Sequence, residues 1–220
     1  MDYYPLLNYA HIIAFVYWLG GDLGTFLASR QVLRRDLGVE ARRIALKIML
    51  ACDQGPRLAM PATFAVGYQM GVSLGFLASP HWLTATVWVV CLAWFAVVLV
   101  LYRHEGKPFA VRLATVDFRF RLVVVALLIA ASGHGLAGGD WLTDDRIGWK
   151  MLIFAGLMGC GVMIRWHLRP FGAAFASLVA NGPSDAVNDT LERSFGRCRP
   201  WVNAIWLGLF VNAAIGMRLL

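Results

Sequence analysis

The sequence predicts an all-α fold: a polytopic transmembrane bundle of about six helices with both termini periplasmic. Of its 220 residues, 59% are hydrophobic and only 15% are charged, where soluble domains carry about 25% charge. Mean hydropathy is +0.62. A soluble fold could not hide that much apolar side chain, and the apolar residues are gathered into long runs separated by basic segments. Those runs and the placement of Lys and Arg carry the prediction.

A helix rises about 1.5 Å per residue, so about 20 apolar residues cross a hydrocarbon core about 30 Å thick. The expected spans cover about residues 5–27, 58–77, 83–102, 119–138, 147–166 and 201–218. The first, Pro5 to Leu27, lacks a basic leader and a small-residue cleavage site, so it reads as a retained helix. The second, Leu58 to Leu77, follows a Pro-broken start at Pro56, with Pro61 one turn on. The third, Leu83 to Tyr102, is almost uninterrupted. The fourth has its apolar part at Leu122 to Leu136 and borrows Phe118 to Phe120 or Ala137 to complete its length. Ile147 to Ile164 and Trp201 to Met217 form the fifth and sixth. The longest polar stretch, Arg165 to Arg199, contains an apolar piece at Phe171 to Ala180, a break at Asn181-Gly182-Pro183 and a helix start at Ser184-Asp185. It predicts two short interfacial helices. With no repeat and no linker, residues 1–220 read as a single membrane domain.

Short cytoplasmic loops retain positive charge, which orients the bundle. Arg30, Arg34, Arg35, Arg42, Arg43 and Lys47 fall in the first loop, Arg103, Lys107, Arg112, Arg119 and Arg121 in the third, and Arg165, Arg169, Arg193, Arg197 and Arg199 in the fifth. The second and fourth loops are nearly free of them. The expected location is a bacterial inner membrane, with the basic loops cytoplasmic. A net charge of +7 gathered at membrane edges suits anionic headgroups and calls for no nucleic acid.

The four cysteines, Cys52, Cys91, Cys160 and Cys198, form no C-x-x-C, no c-type haem motif and no zinc spacing. Walker, dinucleotide-binding, H-E-x-x-H and G-x-S-x-G motifs are missing too, so any chemistry belongs to a cofactor.

Ionisable groups inside a bilayer are costly, and three stand out: His11, Asp22 and His134. In the first span His11, Phe15, Trp18 and Asp22 follow helical spacing and share a face. Gly20, Gly21 and Gly24 allow close approach of a neighbour or a flat ligand. His134 lies between Gly133 and Gly135, at about the depth of His11. Two imidazoles at one depth are what axial ligation of a b-type haem requires. Lys150, beside Trp149 at the outer start of the fifth span, could meet a haem propionate, and Arg57 could pair with Asp22 as a proton or ion-pair site.

Tyr9-Ala10-His11 followed by Trp18-Leu19-Gly20-Gly21 resembles the opening of a group of bacterial membrane proteins. That group includes the CopD-type copper resistance proteins, the HemJ-type protoporphyrinogen oxidases and related families of unassigned function. Trp149-Lys150 and the segment from Pro56-Arg57 to Pro61 are similar to elements of HemJ-like members. The resemblance implies that His11 is a haem ligand. It departs from HemJ-like proteins in span count and in Gly133-His134-Gly135, and from CopD-like ones in lacking a Met-rich or His-rich outer loop for copper.

The leading expectation is a membrane b-type haem protein for electron transfer or haem-dependent oxidation. His11 and His134 would hold the iron, Trp18 and Lys150 would border the cofactor, and the donor would be a quinol or a porphyrinogen-like substrate, with a redox partner protein as acceptor. The alternatives are copper or other cation transport of CopD type, with His11, His134 and Asp22 along the path, and a non-catalytic membrane subunit.

Overall fold

A computed structural model describes residues 3–219. Among them the chain forms eight helices: α1 (Tyr4–Val32), α2 (Val39–Cys52), α3 (Gln54–Ser73), α4 (His81–Arg103), α5 (Pro108–Leu136), α6 (Asp145–His167), α7 (Arg169–Asn181) and α8 (Asp185–Gly216). Five expected spans fall wholly or nearly within α1, α4, α5, α6 and α8, and α3 covers most of the sixth. The differences lie at the ends. α3 starts before Leu58 and stops at Ser73, because Gly75 takes a φ of 72° and turns the chain. α8 is one continuous helix where a short interfacial helix and a separate span were expected, with Pro200 inside it. α2 falls in what the sequence presents as a basic loop; its apolar positions Ala45 and Met49 alternate with charge at a helical period.

Three helices, α1, α4 and α6, are long and apolar enough to cross a membrane by length and composition. The side-chain distribution over the bundle fits lipid. Val16, Val89, Leu92, Val123, Leu127, Leu207 and Phe210 are each more than half exposed, on α1, α4, α5 and α8. An exposed apolar belt this extensive on four helices is what a hydrocarbon solvent stabilises and water does not.

The six longer helices form a ring in chain order. α1 packs on α3, α3 on α4, α4 on α5, α5 on α6 and α6 on α8, and α8 returns to α1. Trp18, Met60, Trp94, Leu128, Phe154, Leu157, Met158 and Ile205 fill its centre. Small residues set the closest approaches. A Cβ on Gly21 would run into the Pro56 ring, one on Gly55 would lie 2.8 Å from the Tyr17 carbonyl oxygen, and one on Gly24 2.8 Å from Cys52 Sγ. The glycine stripe of α1 thus receives neighbouring helices.

At the end that carries the basic loops, α2, α7, the last turns of α1 and the first half of α8 build a lobe around Val32, Met49, Phe175, Leu178 and Leu191. Its polar lock is Arg42, 1% exposed, whose Nε donates to the Val32 carbonyl at 2.7 Å and Nη1 to Asn188 Oδ1 at 2.9 Å. Outside it, Arg35 spans Asp189 (2.6 Å) and Glu192 (2.7 Å), with Asp185 at 3.4 Å. At the opposite end two connections zip together: Ala78 N donates to Trp141 O at 2.8 Å, Thr143 N to Phe76 O at 3.1 Å, and Leu77 bridges Leu142.

Arg42→Ala leaves the Val32 carbonyl and Asn188 buried and unpaired, so thermal unfolding in detergent should lose about 2–4 kcal/mol, whereas Arg43→Ala on the exposed face stays within about 0.5 kcal/mol. Hydrogen bonds from Arg35 hold the Glu192 carboxyl below the usual carboxylate range. A depressed carboxylate contributes stability above its unfolded pKa and loses it as pH falls through the folded one. Amide exchange in the first half of α8 should therefore quicken below about pH 4, with little change between pH 6 and 8.

Candidate functional site

The inward face of α1 is the one the spacing predicts. Trp18 is 1% exposed, and His11 and Asp22 are partly buried to either side of it along the helix. What surrounds each differs.

Toward the end opposite the lobe, the His11 ring packs against α3 where Gly67 has no side chain; a Cβ there would lie 2.9 Å from His11 Cε1. The imidazole also meets the Thr63 backbone through a hydrogen bond, while Nδ1 is buried with no partner among the described residues. Lys150 of α6 is near enough to act on His11 electrostatically. Its ammonium lies against α8, 2.8 Å from where a Cβ of Gly216 would stand, and among the described residues it has no carboxylate partner. Asn212 Nδ2 donates to the Lys150 carbonyl at 3.3 Å, leaving Asn212 Oδ1 buried and unpartnered, as is Thr63 Oγ1. Four helices, α1, α3, α6 and α8, thus bring basic and polar groups into one neighbourhood and leave some of their hydrogen-bonding capacity unused.

Below His11 the bundle is closed by aromatics. Trp18 meets Phe154 edge-on with centroids 5.7 Å apart, and Phe64 meets Phe154 at 5.3 Å. Met158 and Leu157 pack into the same core. This septum separates His11 from Asp22.

On the lobe side of the septum is a cavity of about 480 Å³. Trp18, Met60, Leu157 and Ile205 contribute apolar wall; Asp22, Asp53 and six arginines contribute charge. Asp22 hydrogen-bonds the Trp18 side chain and keeps Oδ2 buried without a partner. A smaller cavity of about 250 Å³ adjoins it, sharing Arg57, Arg121 and Arg165. The polar wall here is fixed by Asp117, whose side chain is fully buried. Oδ1 accepts from Trp94 Nε1 at 3.1 Å, and Oδ2 from Arg121 Nε at 3.0 Å and Arg165 Nη1 at 3.2 Å. Arg121 also lies over the Trp94 ring at 5.1 Å.

Two sequence expectations are corrected. Arg57 pairs with Asp53, one turn earlier on its own chain segment, and not with Asp22. Four-residue spacing makes that pair local, whereas reaching Asp22 would require leaving it. His134 is not brought to His11. α5 packs on α4 and α6 and α1 on α2, α3 and α8, so the two helices are not ring neighbours. The His134 side chain is exposed; its Nδ1 accepts from Trp141 Nε1 at 3.2 Å, and the side-chain-free face of Gly135 is covered by Trp141 and Leu142. Equal depth on two helices fixes height and leaves azimuth open. Lys150, by contrast, lies beside His11.

The sequence reading passed over Asp117, Arg121, Arg165 and Trp94. Asp117 and Arg121 stand four apart, a spacing that puts them on one helix face, but among the basic residues of a loop they look like ordinary membrane-edge charge. Among the described residues no three His, Cys, Asp or Glu side chains converge as a metal site. Compared with family models, curated proteins and solved structures, the chain matches none.

Removing the shared carboxylate leaves two guanidinium groups in the bundle with nothing to neutralise them. Asp117→Ala should destabilise by about 3–5 kcal/mol, read as lost thermal stability in detergent, while Asp145→Ala at the exposed start of α6 changes it by about 0.5 kcal/mol or less.

Proposed function

We propose that this is a multi-spanning protein of the bacterial inner membrane that binds haem through a single histidine, His11, and passes electrons. The bundle has six spans: α1, α3, α4, α5, α6 and the second half of α8. The basic lobe is cytoplasmic, and both termini and the His11 end are periplasmic. The exposed apolar belt and the gathering of Lys and Arg at one end support that orientation.

The observation that carries the haem reading is the unused Nδ1 of His11 beside Lys150. A metal-binding imidazole is ordinarily held by a hydrogen bond from its other nitrogen, which fixes tautomer and ring direction. The Thr63 backbone contact can serve that purpose. Gly67 seats the ring, and Lys150 is a cation that a carboxylate of the bound group would neutralise. The chemistry of His11 and Lys150 suits haem, whereas His134 does not suit a second ligand, since that ring is exposed and bonded to Trp141. When bound, haem supplies one-electron redox chemistry; the chain positions it, shields it from water and sets its potential by burial. Donors consistent with this location are membrane quinols and porphyrinogen-like compounds, with a protein acceptor at the periplasmic face.

Cation transport of CopD type has weaker support. It calls for a polar track from His11 to Asp22, and Trp18, Phe154 and Phe64 stand across it.

Protein purified in mild detergent from haem-supplied cells should show a b-type visible spectrum. His11→Ala should lose it, Lys150→Ala should retain at least several-fold less haem, and His134→Ala should keep it. A folded wild-type protein without a Soret band contradicts the proposal, as does loss in His134→Ala equal to that in His11→Ala.

A further inference from the structure

The larger cavity is independent of the His11 site, and its charge is arranged in a way the sequence does not announce. Arg30, Arg57, Arg121, Arg165, Arg169 and Arg199 come from α1, α3, α5, α6, α7 and α8, one from each helix. A run of basic sequence would place its charges along one edge; here six separate helices each contribute one arginine to the cavity lining, and Arg30, Arg169 and Arg199 are its exposed members.

The carboxylates do not balance them. Asp53 takes Arg57, and Asp117 is divided between Arg121 and Arg165. Arg30, Arg169 and Arg199 have no carboxylate partner among the described residues, and Arg169 stacks on the exposed Trp166 ring at 4.0 Å. Like charges converging on a cavity partly screened from water repel unless an anion joins them. Guanidinium forks match phosphate oxygens in shape and charge. The rest of the wall is apolar, from Phe26, Met60, Leu157 and Ile205, and Asp22 Oδ2 offers one acceptor that no group of the protein uses.

We propose that this cavity binds the headgroup of an anionic phospholipid, its phosphate among the arginines, a headgroup hydroxyl on Asp22 and its chains leaving toward the membrane. Basic pockets between spans at the cytoplasmic level take anionic lipid heads by this chemistry. The hydroxyl requirement favours a glycerol headgroup over choline, which has no donor.

The test is thermal unfolding of the full chain in mild detergent, titrated with phosphatidylglycerol, phosphatidylcholine or inorganic phosphate. Phosphatidylglycerol should raise the Tm saturably; the other two should leave it unchanged at equal concentration. Arg30→Gln combined with Arg199→Gln removes two rim charges that hold no structural bond, and it should weaken the phosphatidylglycerol effect about tenfold or more. Lys47→Gln, in the same lobe but outside the cavity, should leave it as in wild type. Equal stabilisation by phosphatidylcholine overturns the anion site. Equal stabilisation by inorganic phosphate overturns the lipid as its occupant and assigns a soluble anion. Equal loss in Lys47→Gln reduces the effect to surface charge and overturns the cavity.

Discussion

Asp117 constrains this structure more than any other residue. Its carboxylate is fully buried and accepts from Trp94, Arg121 and Arg165, which ties α4, α5 and α6 together by one side chain. Ions cannot leave water cheaply, and a carboxylate enclosed this way is stable only while all its donors stay in place. The triad therefore fixes the mutual setting of three neighbours in the ring. Trp94 then presents its face to Arg121, and Met60 takes the remaining side of that guanidinium with Sδ 3.6 Å from Nη1.

From that anchor follows the division of the interior. With α4, α5 and α6 held at the lobe end, the aromatic layer of Trp18, Phe64 and Phe154 closes the middle of the bundle. Polar groups are left in two separate places. One is the His11 and Lys150 neighbourhood, poor in acids and rich in unused hydrogen-bonding atoms; the other is the arginine-lined cavity.

Much of the fold was legible in the sequence because hydrocarbon is a simple solvent: long apolar runs, their spacing and the one-sided Lys and Arg distribution identify helices without reference to packing. Helical spacing likewise placed His11, Trp18 and Asp22 on the inward face of α1. Azimuth between helices was not legible. Nothing in Ser132-Gly133-His134-Gly135 says whether that ring faces the bundle or outward; Gly133 faces open space, and Gly135 admits Trp141 and Leu142. Charges at loop edges were hardest, since Arg121 and Arg165 look the same in sequence as Arg112 and Arg119, which stay at the surface. Only the position of Asp117 separates the two kinds.

At the end of the bundle opposite the basic lobe His11 is packed within the bundle while His134 is exposed. Single cysteines at position 11 or 134, in a background freed of the four native thiols, can be tested with a membrane-impermeant maleimide added outside intact spheroplasts. Position 134 should label readily and position 11 should label only after denaturation. Equal labelling at the two positions, or protection of 134 with labelling of 11, would contradict the arrangement of the bundle on which the functional reading stands.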